Sequence, residues 1–259
     1  METKTELVTT IIDRGILQVC IQRPEKKNAL TLAMYDALTA ALEAAENDNH
    51  IRVILLRGTE TCFTSGNDLH DFAKNPPTGE NSPVFRFLRA ISQAKKPLVA
   101  MVSGAAVGIG TTMLLHCDLV YADETARFQL PFVNLGLCPE AASSYLLPKL
   151  VGYLQASEIL LLGETIVAEK AQGLGLVNQI FPVIDLYHQV MEKALQLAAQ
   201  PPASVRLTKS LLKEHQLQQV TEVMSNEGTL FLQQLAKPEA QEAITAFTEK
   251  RKADFTQFS

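Results

Sequence analysis

Two short apolar runs, each followed by a turn of glycine and other small residues, place the strongest constraint on how this chain can fold. Residues 53–58 (VILLRG) lead into residues 63–69 (FTSGNDL), and residues 97–104 (PLVAMVSG) lead into residues 105–110 (AAVGIG). A continuous apolar run of this length is typical of a strand buried on both faces, as in a parallel sheet. Glycine turns let the backbone approach a ligand closely, and open α/β sheets bind ligands at the carboxyl ends of their strands. We therefore expect both turns to lie at a ligand site.

The other segments alternate between extended and helical patterns up to Pro182, after which the chain is almost wholly helical. Two β-rich runs around Asp13-Arg14-Gly15 predict a hairpin, and leucines near helical spacing predict a helix over residues 31–48. Sequential β/α units favour right-handed crossovers and parallel pairing, so we expect an α/β fold with helical additions. Further predicted elements are a loop turning into a helix start at 61–73, a surface loop at 75–83, helices at 84–96, 107–117, 141–152, 153–163 and 167–176, one strand over 97–106, and extended segments at 118–123, 126–131 and 177–182.

Size and composition bound the class of protein. The chain has 259 residues, 47% apolar and 20% charged, which suits one large globular domain or a main domain with a smaller appendage. The formal net charge of −5 provides no global basic field for nucleic acid. No apolar run approaches the ~18 residues that span a bilayer, so we expect no membrane partner. The cysteines are far apart and form no CxxC pair, which disfavours a disulfide framework or a metal site of that kind.

A single acid, Glu140, stands in the otherwise small and uncharged stretch 136–145 (GLCPEAASSY). Charged groups are costly to bury unless they are paired or used, so the ten residues alone favour a solvated loop acid. The first glycine turn has a structural alternative too, in which Gly66 and Asn67 form a simple turn and Asp68 caps the next helix. The residues alone leave these positions open between a structural and a functional role.

Several familiar site motifs are absent. The sequence Gly108-Ile109-Gly110 lacks the Lys-Ser/Thr ending of a phosphate loop and the GxGxxG spacing, which argues against either kind of nucleotide-phosphate site. The five histidines form no local pair at metal-ligand spacing, and the position of His116 favours core or cap packing. There is no G-x-S-x-G segment, and a helix start explains Ser143-Ser144, so a serine hydrolase is disfavoured.

The separate segments occur together, in this order and spacing, in a known family. RPEKKNAL, FTSGNDL, AAVGIG, CDLVYAD, ARFQLPFVNLGLCPE and AQGLGLVNQIF resemble segments of the crotonase (enoyl-CoA hydratase/isomerase) superfamily, from about residue 7 to the end. Any one segment is a weak signal, whereas the ordered set is highly specific. SGNDL and PEAASSY are most similar to the Δ3,Δ2-enoyl-CoA isomerases of the peroxisomal type.

The resemblance implies a crotonase-like α/β fold, with a spiral of ββα turns over residues 1–195 and a C-terminal helical trimerisation region over residues 196–259. It also implies a homotrimer or homohexamer that acts on an acyl-CoA thioester, with no further cofactor because coenzyme A is part of the substrate, and with no metal. Isomerases of this type often carry an acyl-CoA-binding domain in front and a peroxisomal address behind. Neither is found in this sequence, and we expect a cytoplasmic protein.

The resemblance also assigns site residues. In the family, two backbone amides hold the thioester oxygen, and the matching amides here belong to Asn67 and Ile109. Glu140 matches the single catalytic acid of the peroxisomal-type isomerases. For the basic end of the chain, an exposed helix terminus is the alternative to a contact with CoA. The positions implied to line the CoA and substrate pocket are Lys26, Lys27, Ser65, Gly66, Asp68, Leu69, Gly108, Phe132, Lys250 and Arg251.

Two departures from the hydratases of the family bear on the reaction. Hydratases place two glutamates on the attacking water, and the matching positions here hold Thr112 and Phe132. Neither side chain can activate a water for attack at C3 and deliver a proton to C2, so hydratase activity is expected to be feeble or absent. One carboxylate is enough for an allylic shift, because the same group can take a proton from C2 and return it at C4.

We therefore expect an enoyl-CoA Δ3→Δ2 isomerase of fatty acid β-oxidation, with an apolar setting that raises the pKa of Glu140. Two alternatives stay open. One is a non-catalytic CoA-binding module of the same fold, which would have no need of this acid. The other is a different CoA-thioester enzyme, such as a hydrolase or a decarboxylase. The residues expected around the acid are Leu130, Phe132, Leu135 and Leu137.

Overall fold

A computed structural model describes residues 7–75, 79 and 81–258, with the side chain of Ala73 left out. Four residues of the predicted surface loop at 75–83, namely 76–78 and 80, lie outside these described residues. The strands are β1 (Val8–Asp13), β2 (Ile16–Ile21), β3 (Val53–Arg57), β4 (Cys62–Thr64), β5 (Leu98–Val102), β6 (Ala105–Val107), β7 (Leu119–Asp123), β8 (Arg127–Gln129), β9 (Ile166–Val167) and β10 (Gln179–Phe181).

Helices connect and cover these strands. Short 3₁₀ turns lie at Pro24–Lys26, Met113–His116 and Val133–Leu135. The α-helices are α1 (Leu32–Asn47), α2 (Leu69–Lys74), α3 (Pro83–Ser92), α4 (Ile109–Thr112), α5 (Ser143–Val151), α6 (Tyr153–Leu162), α7 (Ala168–Gly173), α8 (Val183–Ala198), α9 (Pro202–Leu235) and α10 (Pro238–Glu249).

The strands form two sheets. The larger sheet has the order β1-β2-β3-β5-β7-β10, and the smaller has the order β4-β6-β8-β9. In the larger sheet, β1 and β2 form the predicted antiparallel hairpin, and the other neighbours are parallel. Three times in succession, a strand of the larger sheet (β3, β5, β7) is followed by a strand of the smaller one (β4, β6, β8). This repeat confirms the α/β class and the spiral of ββα turns.

Both faces of the larger sheet are covered, which explains its continuous apolar runs. In β3, Ile54 and Leu56 face the main core with α1 and α3, whereas Val53 and Leu55 face a second core against α8. Successive side chains of a strand point to opposite faces, so a strand covered on both sides must be apolar at every position. The prediction of buried parallel strands is confirmed.

Three predicted elements were wrong in detail. The segment predicted as a loop at 61–73 contains strand β4, and the single strand predicted over 97–106 is broken into β5 and β6. The helix predicted over 107–117 is the short helix α4 followed by a 3₁₀ turn. Apolar periodicity identifies extended backbone but does not reveal where a chain leaves one sheet for another, and the short runs on either side of each crossing look alike.

The C-terminal third of the chain is helical, as predicted. The proposed boundary between residues 195 and 196 lies inside α8, which packs on the larger sheet, and the division into two regions stays a prediction. Helix α9 runs for 34 residues and packs against α3 and α5. Among the helices of the described residues, none has the length and apolar character that a bilayer-spanning segment requires.

Close packing between the first and second glycine turns gives a test of the fold. A Cβ on Gly110 would lie 2.7 Å from Thr64 Cγ2 and 2.9 Å from the Thr64 carbonyl oxygen, so Gly110→Ala pushes the two turns apart. We expect the free energy of unfolding to fall by about 1–3 kcal/mol, measured by urea denaturation. The control is Gly173→Ala at the end of α7, where an added Cβ meets no atom within 4 Å and stability should be unchanged or slightly higher. Equal stability of both variants would contradict the close approach of the turns.

Candidate active site

The register of the sheets brings the two glycine turns together. Strands β3 and β5 are parallel and in register, and the strands that follow them, β4 and β6, are paired as well. The turns after β4 and before α4 therefore lie at the same edge. Gly66 has a φ of +92°, and a Cβ there would lie 2.8 Å from the Val107 carbonyl oxygen. Only glycine fits this turn, for reasons of both conformation and space.

Each turn presents a backbone N–H group without a partner. The Leu30 N–H donates to Gly66 O (2.8 Å) and the Asp68 N–H donates to Leu30 O (2.9 Å), so the peptide groups on both sides of Asn67 are held by the segment before α1. In a parallel bridge of this kind, the N–H of the residue between the two bonded peptide groups points away from the partner strand. The Asn67 N–H therefore points away from Leu30. Ile109 is the first residue of α4, where an N–H has no partner within the helix. Neither amide makes a hydrogen bond with any described residue, so both are available to a ligand oxygen.

Glu140 is buried rather than solvated, so the structural alternative considered for this acid was wrong. The residue lies between the 3₁₀ turn Val133–Leu135 and helix α5, and it is 9% exposed. The hydroxyl of Thr112, on α4, donates to Glu140 Oε1 (2.5 Å). The second oxygen, Oε2, has no hydrogen-bond partner among the described residues. One face of the carboxyl group is thus fixed and the other is free.

Burial dominates the electrostatics of this acid. Loss of solvent raises the pKa of Glu140 to about 8, the Thr112 hydroxyl opposes this shift, and the charge of Glu227 adds to it. The predicted direction is confirmed. A carboxyl group with a pKa near 8 is a much stronger base than an ordinary glutamate, and it exchanges its proton near neutral pH.

Glu140 and Asn67 both line a small cavity. Its free volume is about 20 Å³, on the scale of a single water molecule. The residues expected around the acid, namely Leu130, Phe132, Leu135 and Leu137, are not among the described residues that line this cavity, and their place beside Glu140 stays a prediction. Most of the wall comes from α2, α3 and α9, through the apolar side chains of Phe72, Val84, Phe85, Leu88, Met224 and Phe231.

Tyr35 links α1 to the first turn. It is fully buried, and its hydroxyl donates to Asn67 Oδ1 (2.5 Å) at the wall of the same cavity. Burial raises the pKa of Tyr35 well above its ordinary value, and the charge of Glu140 raises it further. The phenol therefore stays protonated and holds the side chain of Asn67, whose backbone N–H is one of the two free amides.

The residues after Glu140 adopt an unusual backbone. Ala141 and Ala142 have φ values of +58° and +57°, a left-handed conformation that costs about 1–2 kcal/mol for each non-glycine residue. His116 Nε2 contacts the Ala141 carbonyl oxygen at 2.8 Å. The carboxylate of Glu227, on α9, accepts hydrogen bonds from the Ala142 N–H (2.6 Å) and the Ser144 N–H (2.9 Å). Side chains from two other elements thus hold this loop.

The positions implied for the CoA side form a rim around the first turn. Lys26 and Lys27 are exposed, and the Ser65 N–H donates to Lys27 O (3.0 Å). Asp68 caps α2 by accepting from the His70 and Asp71 amides, as the structural alternative held. Its other oxygen pairs with Arg23 at 2.7 Å, so this carboxylate is already satisfied. Leu69 begins α2, and Gly108 precedes the free amide of Ile109 with a φ of +56°.

Three other implied residues lie apart from the cavity. Phe132 is buried but does not line it. Lys250 and Arg251 follow the end of α10, and the Arg251 guanidinium is paired with Glu242 (2.6 Å) and Glu249 (2.6 Å). Its hydrogen bonds lower the pKa of Glu242 to about 2. The charge of Arg251 is therefore compensated within the chain, and a role for either residue in CoA binding stays a prediction.

The residues that the sequence did not reveal come from distant segments. Tyr35 and Glu227 belong to helices whose patterns predict only packing and solvent exposure, and Thr112 was notable only as a replacement for a hydratase glutamate. His116 was assigned to core packing, and it is buried as expected. A buried carboxylate on a helix as polar as α9 leaves no periodic signal, so only tertiary structure identifies it.

This chain is similar to known proteins over nearly its whole length. A family model described as enoyl-CoA hydratase/isomerase matches residues 12–258. The crystal structure of an enoyl-CoA hydratase/isomerase from Pseudoalteromonas atlantica T6c is 41% identical, with a TM-score of 0.92 over 97% of this chain and 100% of that one. The structure of OdaA from Pseudomonas aeruginosa is 42% identical, with a TM-score of 0.91 over 94% and 99%.

Curated relatives include isomerases and hydratases at similar distances. Enoyl-CoA delta isomerase 2 of Rattus norvegicus is 35% identical over 256 residues, which cover 96% of this chain and 65% of the relative. The 2,3-dehydroadipyl-CoA hydratase of Escherichia coli K12 is 34% identical over 252 residues, which cover 97% and 98%. This chain thus spans less than two thirds of the rat isomerase, and identity alone does not separate the two reactions.

The burial of Glu140 predicts a pH-dependent stability. The pKa of this group is raised to about 8 in the folded protein, so the neutral form is favoured by folding. Its stabilising contribution is complete below the ordinary pKa near 4.5 and is lost as the pH rises to about 8, by about 1.4 kcal/mol for each pH unit. Glu140→Gln, which cannot ionise, should therefore melt close to wild type at pH 4.5 and well above it at pH 8. The exposed Glu43→Gln on α1 is the control. A constant difference across this range would contradict a buried, neutral Glu140.

Proposed function

This chain belongs to the enoyl-CoA hydratase/isomerase (crotonase) family, and within that family we propose that it is an enoyl-CoA Δ3→Δ2 isomerase. The observation that carries the proposal is the pairing of one buried acid with two free backbone amides. Glu140 is the sole carboxylate among the described residues that line the cavity, and Asn67 lines the same cavity. A single base beside a site for a developing oxyanion is sufficient for an allylic proton shift.

The proposed reaction uses the carboxylate twice. Glu140 Oε2 removes a proton from C2 of a 3-enoyl-CoA thioester, and the electron pair moves into the C2–C1 bond and onto the thioester oxygen. The N–H groups of Asn67 and Ile109 stabilise that oxygen, each donor being worth on the order of 10²–10³ in rate. The enolate then collapses by taking the same proton at C4, which leaves the double bond between C2 and C3. Atoms and charge balance, and Glu140 ends ionised as it began.

The same geometry argues against hydration. Hydration needs a second acid–base group to hold the attacking water, and Thr112 donates its hydroxyl to Glu140 instead. The other nearby carboxylate, Glu227, accepts two backbone amides and does not line the cavity. This arrangement supports a proton shuttle more than a water-activating pair. A CoA-binding module without turnover would have no use for a buried acid that costs stability.

The remaining aspects of the proposal concern the substrate and the assembly. The apolar side chains around the cavity suit the acyl part of the substrate, whereas the exposed Lys26 and Lys27 suit the phosphates of CoA. We keep the homotrimer or homohexamer as part of the proposal, supported by exposed apolar side chains on α6 and α9, such as Leu154 (79% exposed) and Leu212 (76%). A cytoplasmic location also remains a proposal.

Turnover of 3-hexenoyl-CoA tests the function directly. We expect wild-type protein to form 2-hexenoyl-CoA, and Glu140→Gln to lose at least about 100-fold in kcat while still binding CoA. The measurement is chromatographic separation of the two enoyl thioesters and of 3-hydroxyhexanoyl-CoA, the product of hydration.

Glu43→Gln is the matched control and should retain wild-type rates. Equal rates for wild type and Glu140→Gln would exclude Glu140 as the base. Formation of the hydroxyacyl product as the main product would identify a hydratase, and binding without turnover would favour the CoA-binding module.

The hydrogen bond from Thr112 predicts a shift of the pH profile. Because the base must be ionised, kcat should rise with pH through about 8 in the wild type. Thr112→Val keeps the side-chain shape but removes the donor that stabilises the carboxylate, so the midpoint should move to higher pH, by about one unit. Thr221→Val on the exposed face of α9 is the control. A midpoint that stays in place or moves lower would contradict this role of Thr112.

A further inference from the structure

A second buried carboxylate lies behind the candidate base. Glu227 is 5% exposed and lies in the C-terminal third of α9, where Met224, Gly228 and Phe231 line the cavity and Glu227 does not. Its side chain points instead toward the start of α5. A buried carboxylate on a long polar helix is unusual, and it calls for a function that an apolar residue could not provide.

The contacts of Glu227 are all directed at the loop that carries Glu140. Oε2 accepts the Ala142 N–H (2.6 Å) and Oε1 accepts the Ser144 N–H (2.9 Å). These two amides flank the first residue of α5, so the carboxylate caps this helix from a different part of the chain. No side chain caps α5 from within its own loop.

The capped loop has a backbone shape that is unfavourable for its residues. Ala141 and Ala142 are both left-handed and fully buried, and neither is a glycine. Glu140 immediately precedes them, so the direction of its side chain depends on these two residues. Besides Glu227, two contacts hold them: His116 Nε2 lies 2.8 Å from the Ala141 carbonyl oxygen, and the Ser143 N–H donates to Glu140 O (3.0 Å) across both residues.

We propose that Glu227 is a positioning residue for Glu140: by holding the amides of Ala142 and Ser144, it keeps the left-handed loop in the one conformation that aims the Glu140 carboxylate into the cavity. Both oxygens of Glu227 are engaged by amides, so it does not act on substrate itself. The inference rests on the proposed function for its kinetic consequence, but its structural content is independent of the reaction.

Because Glu227 and Glu140 are close together, the charge of Glu227 alters the pKa of Glu140, and this effect can be measured. Burial is the main cause of the raised pKa of Glu140, Thr112 opposes it, and the charge of Glu227 adds to it. The other titratable groups around the site are Tyr35 on α1, which stays protonated, and Cys138 before the loop, whose pKa is raised by burial. The pKa of His116 is lowered to about 4 by burial, so it stays neutral. Removal of the Glu227 charge therefore lowers the pKa of Glu140, opposite to the effect of Thr112→Val.

The first test is the kinetics of Glu227→Gln, which keeps the size of the side chain but leaves one amide without an acceptor. We expect kcat for 3-hexenoyl-CoA to fall about 10- to 100-fold with KM within about twofold, and the rising limb of kcat to move about half a pH unit or more to lower pH. Glu222→Gln, exposed on the same helix, should match wild type. A residue needed only for folding would lower the melting temperature and leave the pH midpoint in place, and that result would overturn the proposal.

A second test requires no turnover, so it separates this proposal from the proposed function. The melting-temperature difference between Glu140 and Glu140→Gln proteins is measured against pH, once with Glu227 present and once in the Glu227→Gln background. A midpoint that moves to lower pH in the second series supports the proposal even if wild type isomerises nothing, and coincident midpoints overturn it. If Glu227→Gln does not fold, Glu227→Asp keeps the charge but shortens the reach. It should lose kcat without a shift to lower pH, and unchanged kcat would overturn the proposal.

Discussion

The cost of burying one carboxyl group shapes the candidate site. Glu140 lies among apolar side chains with a single hydroxyl as its hydrogen-bond donor, and its pKa rises to about 8 as a result. Such a group makes the protein less stable at neutral pH than at low pH, because folding favours its neutral form and opposes its ionisation. Retaining it is understandable only if the raised basicity is used. Thr112 and Glu227 shift the pKa of this acid in opposite directions. Glu227 also holds the loop that carries the acid, and Tyr35 holds the side chain of Asn67 at the same cavity.

The two amides depend on a different constraint, the parallel register of the larger sheet. Because β3 and β5 end at the same edge, the chain makes both crossings to the smaller sheet at one place. Gly66 then touches the backbone of Val107, and the two unpaired N–H groups lie on neighbouring turns. Glu140 belongs to a different segment, the loop before α5. The site thus has two parts. The turns that carry the free amides are positioned by backbone hydrogen bonds, and the loop that carries Glu140 is held by side chains.

The sequence predicted the first of these parts far better than the second. Apolar runs and glycine turns are local signals, and the resemblance placed Asn67, Ile109 and Glu140 from the order of short motifs. The apolar residues expected around Glu140 are close to it in sequence, whereas most of the apolar cavity wall comes from the distant helices α2, α3 and α9, which no local pattern connects with the acid. Glu227 left no local trace, since an acid on a 34-residue polar helix predicts solvent exposure. Asp68 is the opposite case, because its place in a motif implied a pocket role. Its contacts with Arg23 and with the α2 amides are explained by structure alone.

Helix α9 gives the assembly of this site an order in time. The loop that bears the acid is held by a side chain 85 residues farther along than Ala142. A ribosome adds roughly 5–20 residues per second, so the turns and the acid emerge several seconds before the helix that completes them. During that interval the nascent chain has the glycine turns and the carboxyl group but neither the brace on its loop nor the α9 part of its pocket wall. Competence for chemistry is therefore acquired late in synthesis, when most of the chain that forms the sheets has already been made.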